Sequence, residues 1–229
     1  MTSIRTIRKK GAKKRAGSFN YQQKFSRFVA VYFTWVFLKF KITPNAITIF
    51  NIFLGLIGTF LMVFQKSYIF LIGVFFIYIT LILDRSDGQV ARVTGNCSKR
   101  GQFLDGIYGY TLVASLYGSL ALGSFLIFEN VVLLIAGFIS IIFALFSSIS
   151  SRDRALLVGG EPGHNMIKVK KTKRVVFLSR IASLPSMNIK ELIILFFLFQ
   201  RLDILVFFFG IYNPIMWLAK IVIMSRFDE

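Results

Sequence analysis

The sequence predicts an all-α integral membrane protein: six transmembrane helices preceded by an N-terminal interfacial amphipathic helix. Three observations predict it. Four stretches are long and free of charge: Ile42 to Gln65 (24 residues), Ser67 to Leu83 (17), Gly106 to Phe128 (23) and Asn130 to Ser151 (22), where a spanning helix needs roughly 20 apolar residues. At 55% hydrophobic and 16% aromatic, the chain holds far more apolar sequence than a soluble core of 229 residues uses. Finally, the net charge of +18 is segregated: eleven of the 28 Lys and Arg precede Ile42 and nine lie from Arg152 to Lys190, whereas the turn near Lys66 holds one and the turn near Glu129 none. By the positive-inside rule the N-terminus, residues 84–105 and residues 152–190 face the cytoplasm, as expected of a multi-pass protein of the cell inner membrane.

Residues 1–18 read as a flexible basic cytoplasmic tail attracted to anionic lipid. Nucleic acid is not the expected partner, because a charge run beside a membrane segment more often meets headgroups. No cleavable signal peptide is expected, since the first apolar run lies behind this basic segment. Residues 19–42 form the juxtamembrane helix: Tyr21, Phe25, Phe28, Tyr32, Trp35 and Val36 recur at helical spacing, and Lys24, Arg27 and Lys39 leave too short a clean run to span. The six-helix domain is residues 43–229. Its first span covers about 44–64, with Thr43 as N-cap, Pro44 in the first turn and Asn51 turned toward protein.

The second span descends from Ser67, and its helix continues through Arg92; Val93 to Lys99 is a turn. A third helix begins near Gly101, and its small residues (Gly106, Gly109, Gly118, Gly123 with Ala114, Ser115, Ser119, Ala121) suit close packing. The fourth span covers about 130–150. Two further spans, about 190–209 and 212–227, are separated by Gly210 to Pro214, with Arg201 and Asp203 inside the fifth; a break at Arg201–Asp203 with irregular spans is the alternative. Residues 155–188 are a basic loop whose Lys168, Lys170, Lys171, Lys173 and Arg174 read as attracting lipid headgroups, with an acceptor phosphate as the alternative, and His164 within it reads as a solvent-exposed loop residue. The single Cys97 excludes an internal disulfide and any multi-cysteine metal site.

Chemistry concentrates between Asp84 and Gly109. Asp84 and Asp87 are three apart and share a helix face, which Gly88 and Ala91 continue with almost no side chain. Asp105 opens the next apolar run, and two antiparallel helices joined by a short turn bring it opposite the first two acids. Snorkelling accounts for Arg92, Lys99 and Arg100 at a bilayer boundary, but not for three acids on the side where bases prevail. Three carboxylates beside a small-residue notch suit divalent cations carrying a diphosphate.

These residues resemble the signature of the CDP-alcohol phosphatidyltransferases: D-x-x-D-G-x-x-A-R, eight residues, then G-x-x-x-D-x-x-x-D. Asp84, Asp87, Gly88, Ala91, Arg92, Gly101 and Asp105 match at the right spacing, and the final Asp falls on Gly109. The resemblance implies transfer of a phospho-alcohol group from a CDP-linked donor to an alcohol or polyol-phosphate acceptor, with release of CMP. It implies metal ligation by Asp84, Asp87 and Asp105 to Mg²⁺ or Mn²⁺, two ions being expected. Substrate contacts would come from Asp84, Gly88, Ala91, Arg92, Gly101 and Asp105, and the enzyme would be a homodimer. Gly109 stands where the family has its catalytic base and cannot accept a proton; Tyr108 and Tyr110 project about 100° away on a helix and do not replace it simply. A noncatalytic homologue that binds CDP-alcohol and metal is therefore the alternative. A cation channel or transporter is the third, and it would put its acids within the spans.

Overall fold

A computed structural model describes residues 3–11, 21–157 and 189–225, and all the regular structure among them is helical. The elements are α1 (Ile4–Lys10), α2 (Tyr21–Lys39), α3 (Pro44–Leu61), α4 (Ile69–Thr94), α5 (Lys99–Phe128), α6 (Val131–Leu157), α7 (Ile189–Leu198) and α8 (Leu202–Ser225). Five are long and apolar enough to cross a membrane: Pro44–Leu61, Ile69–Thr94, Lys99–Phe128, Val131–Ser150 and Leu202–Val222. The protein is a multi-pass membrane protein. The basic loop with His164 and Lys168 to Arg174 lies outside the described residues.

The first span begins as its sequence dictates. The Ala46 amide donates to Thr43 Oγ1 at 3.4 Å and the Ile47 amide to the Thr43 carbonyl at 3.2 Å, so Thr43 is the N-cap and Pro44 the first helical residue. On α3 the buried face is Ile47, Thr48, Asn51, Gly55, Gly58 and Thr59, while Phe50, Phe53, Ile57 and Phe60 point outward. Small and polar residues face protein and large apolar ones face away, because close backbone approach rather than apolar burial holds membrane helices together. Asn51 is fully buried and donates to the Thr80 carbonyl at 3.0 Å.

Three features go beyond the simplest reading of the sequence. First, the basic N-terminal segment contains the helix α1, which is capped by Ser3 and whose Ile7 is fully buried. The cause is that Ile4 and Ile7 give an otherwise basic heptapeptide an apolar face, and α1 packs on α2 with Arg8 5.3 Å from the Phe28 ring. Secondly, the stretch expected as one span over 190–209 is interrupted at residues 199–201, next to the Arg201–Asp203 break that the alternative reading gave. Gln200 adopts φ 53°, and the Arg201 and Gln200 amides donate to the Phe196 and Phe197 carbonyls at 2.9 Å each. This paired capping pattern ends α7 after ten residues, too few to span. Arg201 then pairs with Asp203 at 3.2 Å in the first turn of α8. Thirdly, Gly210 to Pro214 does not separate two helices: α8 runs through it. Gly210 is a packing position, where a Cβ would stand 3.0 Å from that of Ala136, and the Asn213 amide donates to the Ser140 carbonyl at 3.3 Å. The described residues thus hold five helices long and apolar enough to span, together with the short α7.

The chain forms two compact units, one of Met1–Leu61 with Leu71–Leu112, the other of Met62–Phe70 with Val113–Glu229. The second is built on α6 against α8 and on aromatic contacts: Phe70 stacks on Phe197 at 4.4 Å, and Trp217 meets Phe143 and Phe146. The later part of the small-residue stripe of α5 packs there, Ala121 lying against Gly137, where no side chain larger than hydrogen fits. Gln65 donates to the Leu120 carbonyl at 2.8 Å and fills the space beside Gly123.

Candidate functional site

The acid motif lies wholly in the first unit. The helix α4 continues without interruption from the apolar run to Thr94, as expected, and ends at Gly95 with φ 75°, a conformation glycine adopts without strain. Ser98 then caps α5, its Oγ accepting from the Gly101 amide at 3.0 Å. Deeper in the unit, the Cβ direction of Gly55 on α3 meets Leu112 of α5 and Thr80 of α4, so three helices converge behind the motif.

Asp87 is the most constrained of the three acids. It is 8% exposed, and its Oδ2 accepts a 2.7 Å bond from the Thr48 hydroxyl. Asp84 and Asp105 both lie close enough to repel its carboxylate. Asp84 is half-buried and Asp105 is exposed. The fold therefore brings the three acids within electrostatic reach of one another. Among the described residues, however, no three acid, cysteine or histidine side chains converge tightly enough to hold one ion. The donor chemistry fits a hard divalent cation, since the set is all carboxylate oxygen and a cation relieves their mutual repulsion.

The remaining positions of the motif differ in their surroundings. Above Gly88, a Cβ would stand 3.1 Å from Nη1 of Arg92, so the arginine fork overlies the notch. Arg92 is anchored from its other side, its Nε donating to the Gly11 carbonyl at 2.9 Å. Ala91 is half-buried. At Gly101 a Cβ would approach Asn45 Oδ1 to 3.2 Å, which brings the first turn of α3 against α5. Gly109 is different: a Cβ there meets nothing within 4 Å.

Sequence reading missed several residues. Thr48 orients Asp87 across 39 residues of chain. On the opposite side of α4, Gln89 accepts from Thr34 at 3.0 Å and Ser86 donates to the Ala30 carbonyl at 3.2 Å. The juxtamembrane helix thus meets α4 through Ala30 and Thr34, which with Ser26 are buried and four apart, while Phe25, Phe28, Tyr32 and Val36 of the aromatic stripe are exposed. The signal that could have found Thr48 and Thr34 was polarity recurring at helical spacing within apolar runs, the same signal that singled out Asn51. One turn below the acids, the Tyr108 hydroxyl lies by Thr80 and Asn51 and feels Asp84 and Asp87. Neither the Tyr108 hydroxyl nor Asn51 Oδ1 reaches hydrogen-bond geometry with a partner.

No curated protein matches the chain. A family described as CDP-alcohol phosphatidyltransferase matches residues 41–225, from the turn before α3 through α8. The chain belongs to the CDP-alcohol phosphatidyltransferase family, and that membership implies phosphotransfer from a CDP-alcohol.

Proposed function

We propose that this protein moves a phospho-alcohol group from a CDP-linked lipid-type donor to an alcohol acceptor and releases CMP, at the cytoplasmic face of the inner membrane and as a homodimer. Asp84, Asp87 and Asp105 hold Mg²⁺ or Mn²⁺, as suits a family that is generally metal-dependent. Gly88 and Ala91 line the nucleotide slot, and Arg92 and Gly101 border the phosphates. The observation that carries the reading is Asp87: a largely buried carboxylate, oriented by Thr48, with Asp84 and Asp105 bearing on it at the spacing of the family signature. A bound divalent cation supplies charge neutralisation for the diphosphate and the departing CMP.

The chain's own residues do the rest. Thr48 fixes the Asp87 carboxylate so that little reorganisation accompanies ligand binding. The acceptor oxygen attacks the donor phosphorus on the alcohol side, the bond from that phosphorus to the bridging oxygen breaks, and the hydroxyl proton must leave. Gly109 offers no base. A second reading, a binding protein that retains donor and metal without turnover, is favoured by that vacancy of chemistry and by the open space at Gly109.

Acceptor-dependent CMP release from a panel of CDP-alcohols, with Mg²⁺ or Mn²⁺, tests the assignment. Release with one donor and acceptor establishes the transferase; metal-dependent CDP binding without release establishes the binding protein; neither would sink both. The topology has its own test. Cysteines introduced near Lys66 and within residues 155–188 should label from opposite sides, and labelling from one side would refute the orientation. Cross-linking in native membranes checks the dimer.

A further inference from the structure

The N-terminal helix ends on a residue of the motif. Gly11 closes α1, its amide donating to the Ile7 carbonyl at 2.7 Å, and its own carbonyl accepts from Arg92 Nε at 2.9 Å. Gly11 is buried. A Cβ there would meet Gln89 Cβ and Cγ at 3.4 Å and the Ile7 carbonyl oxygen at 2.6 Å, so bare backbone is what lets α1 come this close to α4. One turn earlier, Ile7 is fully buried. The carbonyl end of a helix carries partial negative charge, which favours a guanidinium. With its Nε held there, Arg92 presents Nη1 over Gly88, on the notch.

The outer face of α1 is cationic. Arg5, Arg8, Lys9 and Lys10 are all exposed on a helix of seven residues. Arg5 and Lys9 are four apart, where like charges repel. So short a helix does not hold in water by itself. It is held by Ile7, by the bond from Arg92 and by Arg8 against the Phe28 ring. That last contact also marks what lies beyond the helix. Phe25, Phe28 and Tyr32 are exposed on α2, an aromatic face of the kind that sits at headgroup depth. Arg8, 5.3 Å from the Phe28 ring, puts the basic face at the edge of that aromatic face, where lipid phosphates lie.

We propose that the basic face of α1 is a binding surface for anionic lipid headgroups, and that its occupancy steadies Arg92 over the Gly88 notch, so that membrane charge tunes the nucleotide site. Headgroup phosphates relieve the repulsion among Arg5, Arg8, Lys9 and Lys10 and so favour the docked helix. By linkage, whatever favours docking of α1 favours the placed Arg92, and the reverse. The effect on nucleotide rests on the reading of the motif as the CDP site; the coupling of α1 to Arg92 does not.

Two measurements on the full chain test it, in nanodiscs of phosphatidylcholine alone or with phosphatidylglycerol. Hydrogen exchange reads the Ile7 and Gly11 amides, both bonded in docked α1. Calorimetry reads CDP affinity at saturating Mn²⁺. Phosphatidylglycerol should slow exchange in residues 4–11 and tighten CDP binding about three- to tenfold. Repulsion between an anionic surface and an anionic nucleotide would by itself give the opposite sign. The triple variant Arg5→Gln, Lys9→Gln, Lys10→Gln should lose the lipid dependence and keep the affinity seen in phosphatidylcholine. Ile7→Ser, which unseats α1 without touching the motif, should weaken CDP binding about tenfold in phosphatidylglycerol, with an unchanged thermal midpoint of the membrane domain showing that it is folded. Arg92→Gln should speed exchange in residues 4–11. Exchange that ignores both phosphatidylglycerol and Arg92→Gln overturns the proposal. So does CDP binding that responds to metal but not to lipid or Ile7→Ser, and that result leaves the nucleotide reading standing. Exchange that follows lipid and Arg92 with no CDP binding at all would defeat the nucleotide reading and leave the coupling of α1 to Arg92 intact.

Discussion

The two halves of the motif are held very differently. The half on α4 is anchored by its neighbours: Thr48 bonds Asp87, Thr34 bonds Gln89, Ser86 bonds the Ala30 carbonyl, and Arg92 reaches the Gly11 carbonyl. The half on α5 presents an exposed Asp105 and, one turn on, a glycine whose Cβ direction is empty. Preorganisation is worth most where a ligand's charge is fixed, and room is worth most where a second substrate must enter. On the proposed reading, the anchored α4 half suits the donor, and the room beyond Asp105, at Gly109, suits the acceptor.

The largest effect should come from the acids themselves. Asp84→Asn, Asp87→Asn and Asp105→Asn are each expected to abolish metal-dependent CDP binding, because a neutral amide is a poor ligand for a hard cation. Calorimetric titration with CDP and Mn²⁺ measures it, and undiminished binding in the Asp84 and Asp105 variants would remove the proposed site.

Next in size is Gly109→Asp. The open space admits the side chain, and Gly109 lies four residues after Asp105, one turn deeper on the same face and about 6 Å along the axis. Acceptor-dependent CMP release at saturating metal should rise about 10²-fold or more, with CDP binding little changed. A fully active parent that gains nothing would show that another group removes the proton. A folded, CDP-binding variant as inactive as its parent would favour the binding protein.

A smaller loss tests the anchoring of the α4 half. Thr48→Val keeps the shape but removes the bond to Asp87, and metal affinity should fall about tenfold or more. Metal affinity equal to that of the parent would mean that Asp87 needs no orienting partner, and the contrast between the halves would lose its basis. Ala91→Leu belongs with this test: it should weaken CDP binding while the thermal midpoint stays unchanged.

The smallest effect is a control from the other unit. Asn213→Ala removes the bond to the Ser140 carbonyl and should cost about 0.5–1 kcal/mol of stability in a detergent unfolding series. CDP binding should not move. If it does, the site depends on more of the chain than the unit that carries the motif.

Much was legible in the sequence because it is local. Charge-free length reported four of the spans, since hydrocarbon demands an unbroken apolar helix of fixed length. Thr43 and Pro44 announced the start of α3 through capping chemistry that needs only neighbouring residues. Asp84, Asp87, Gly88 and Ala91 declared a shared face through helical spacing alone, and the family followed from the same spacing. What the tertiary structure decided is everything that joins distant segments. The break at residues 199–201 rests on a left-handed Gln200, a residue with no special preference for that conformation. The burial of Ile7, the bond from Thr48 to Asp87 and the bond from Thr34 to Gln89 link segments far apart in the chain. Period and hydropathy say which face of a helix is buried; they do not say which other helix arrives there, because that choice is made by packing between whole helices.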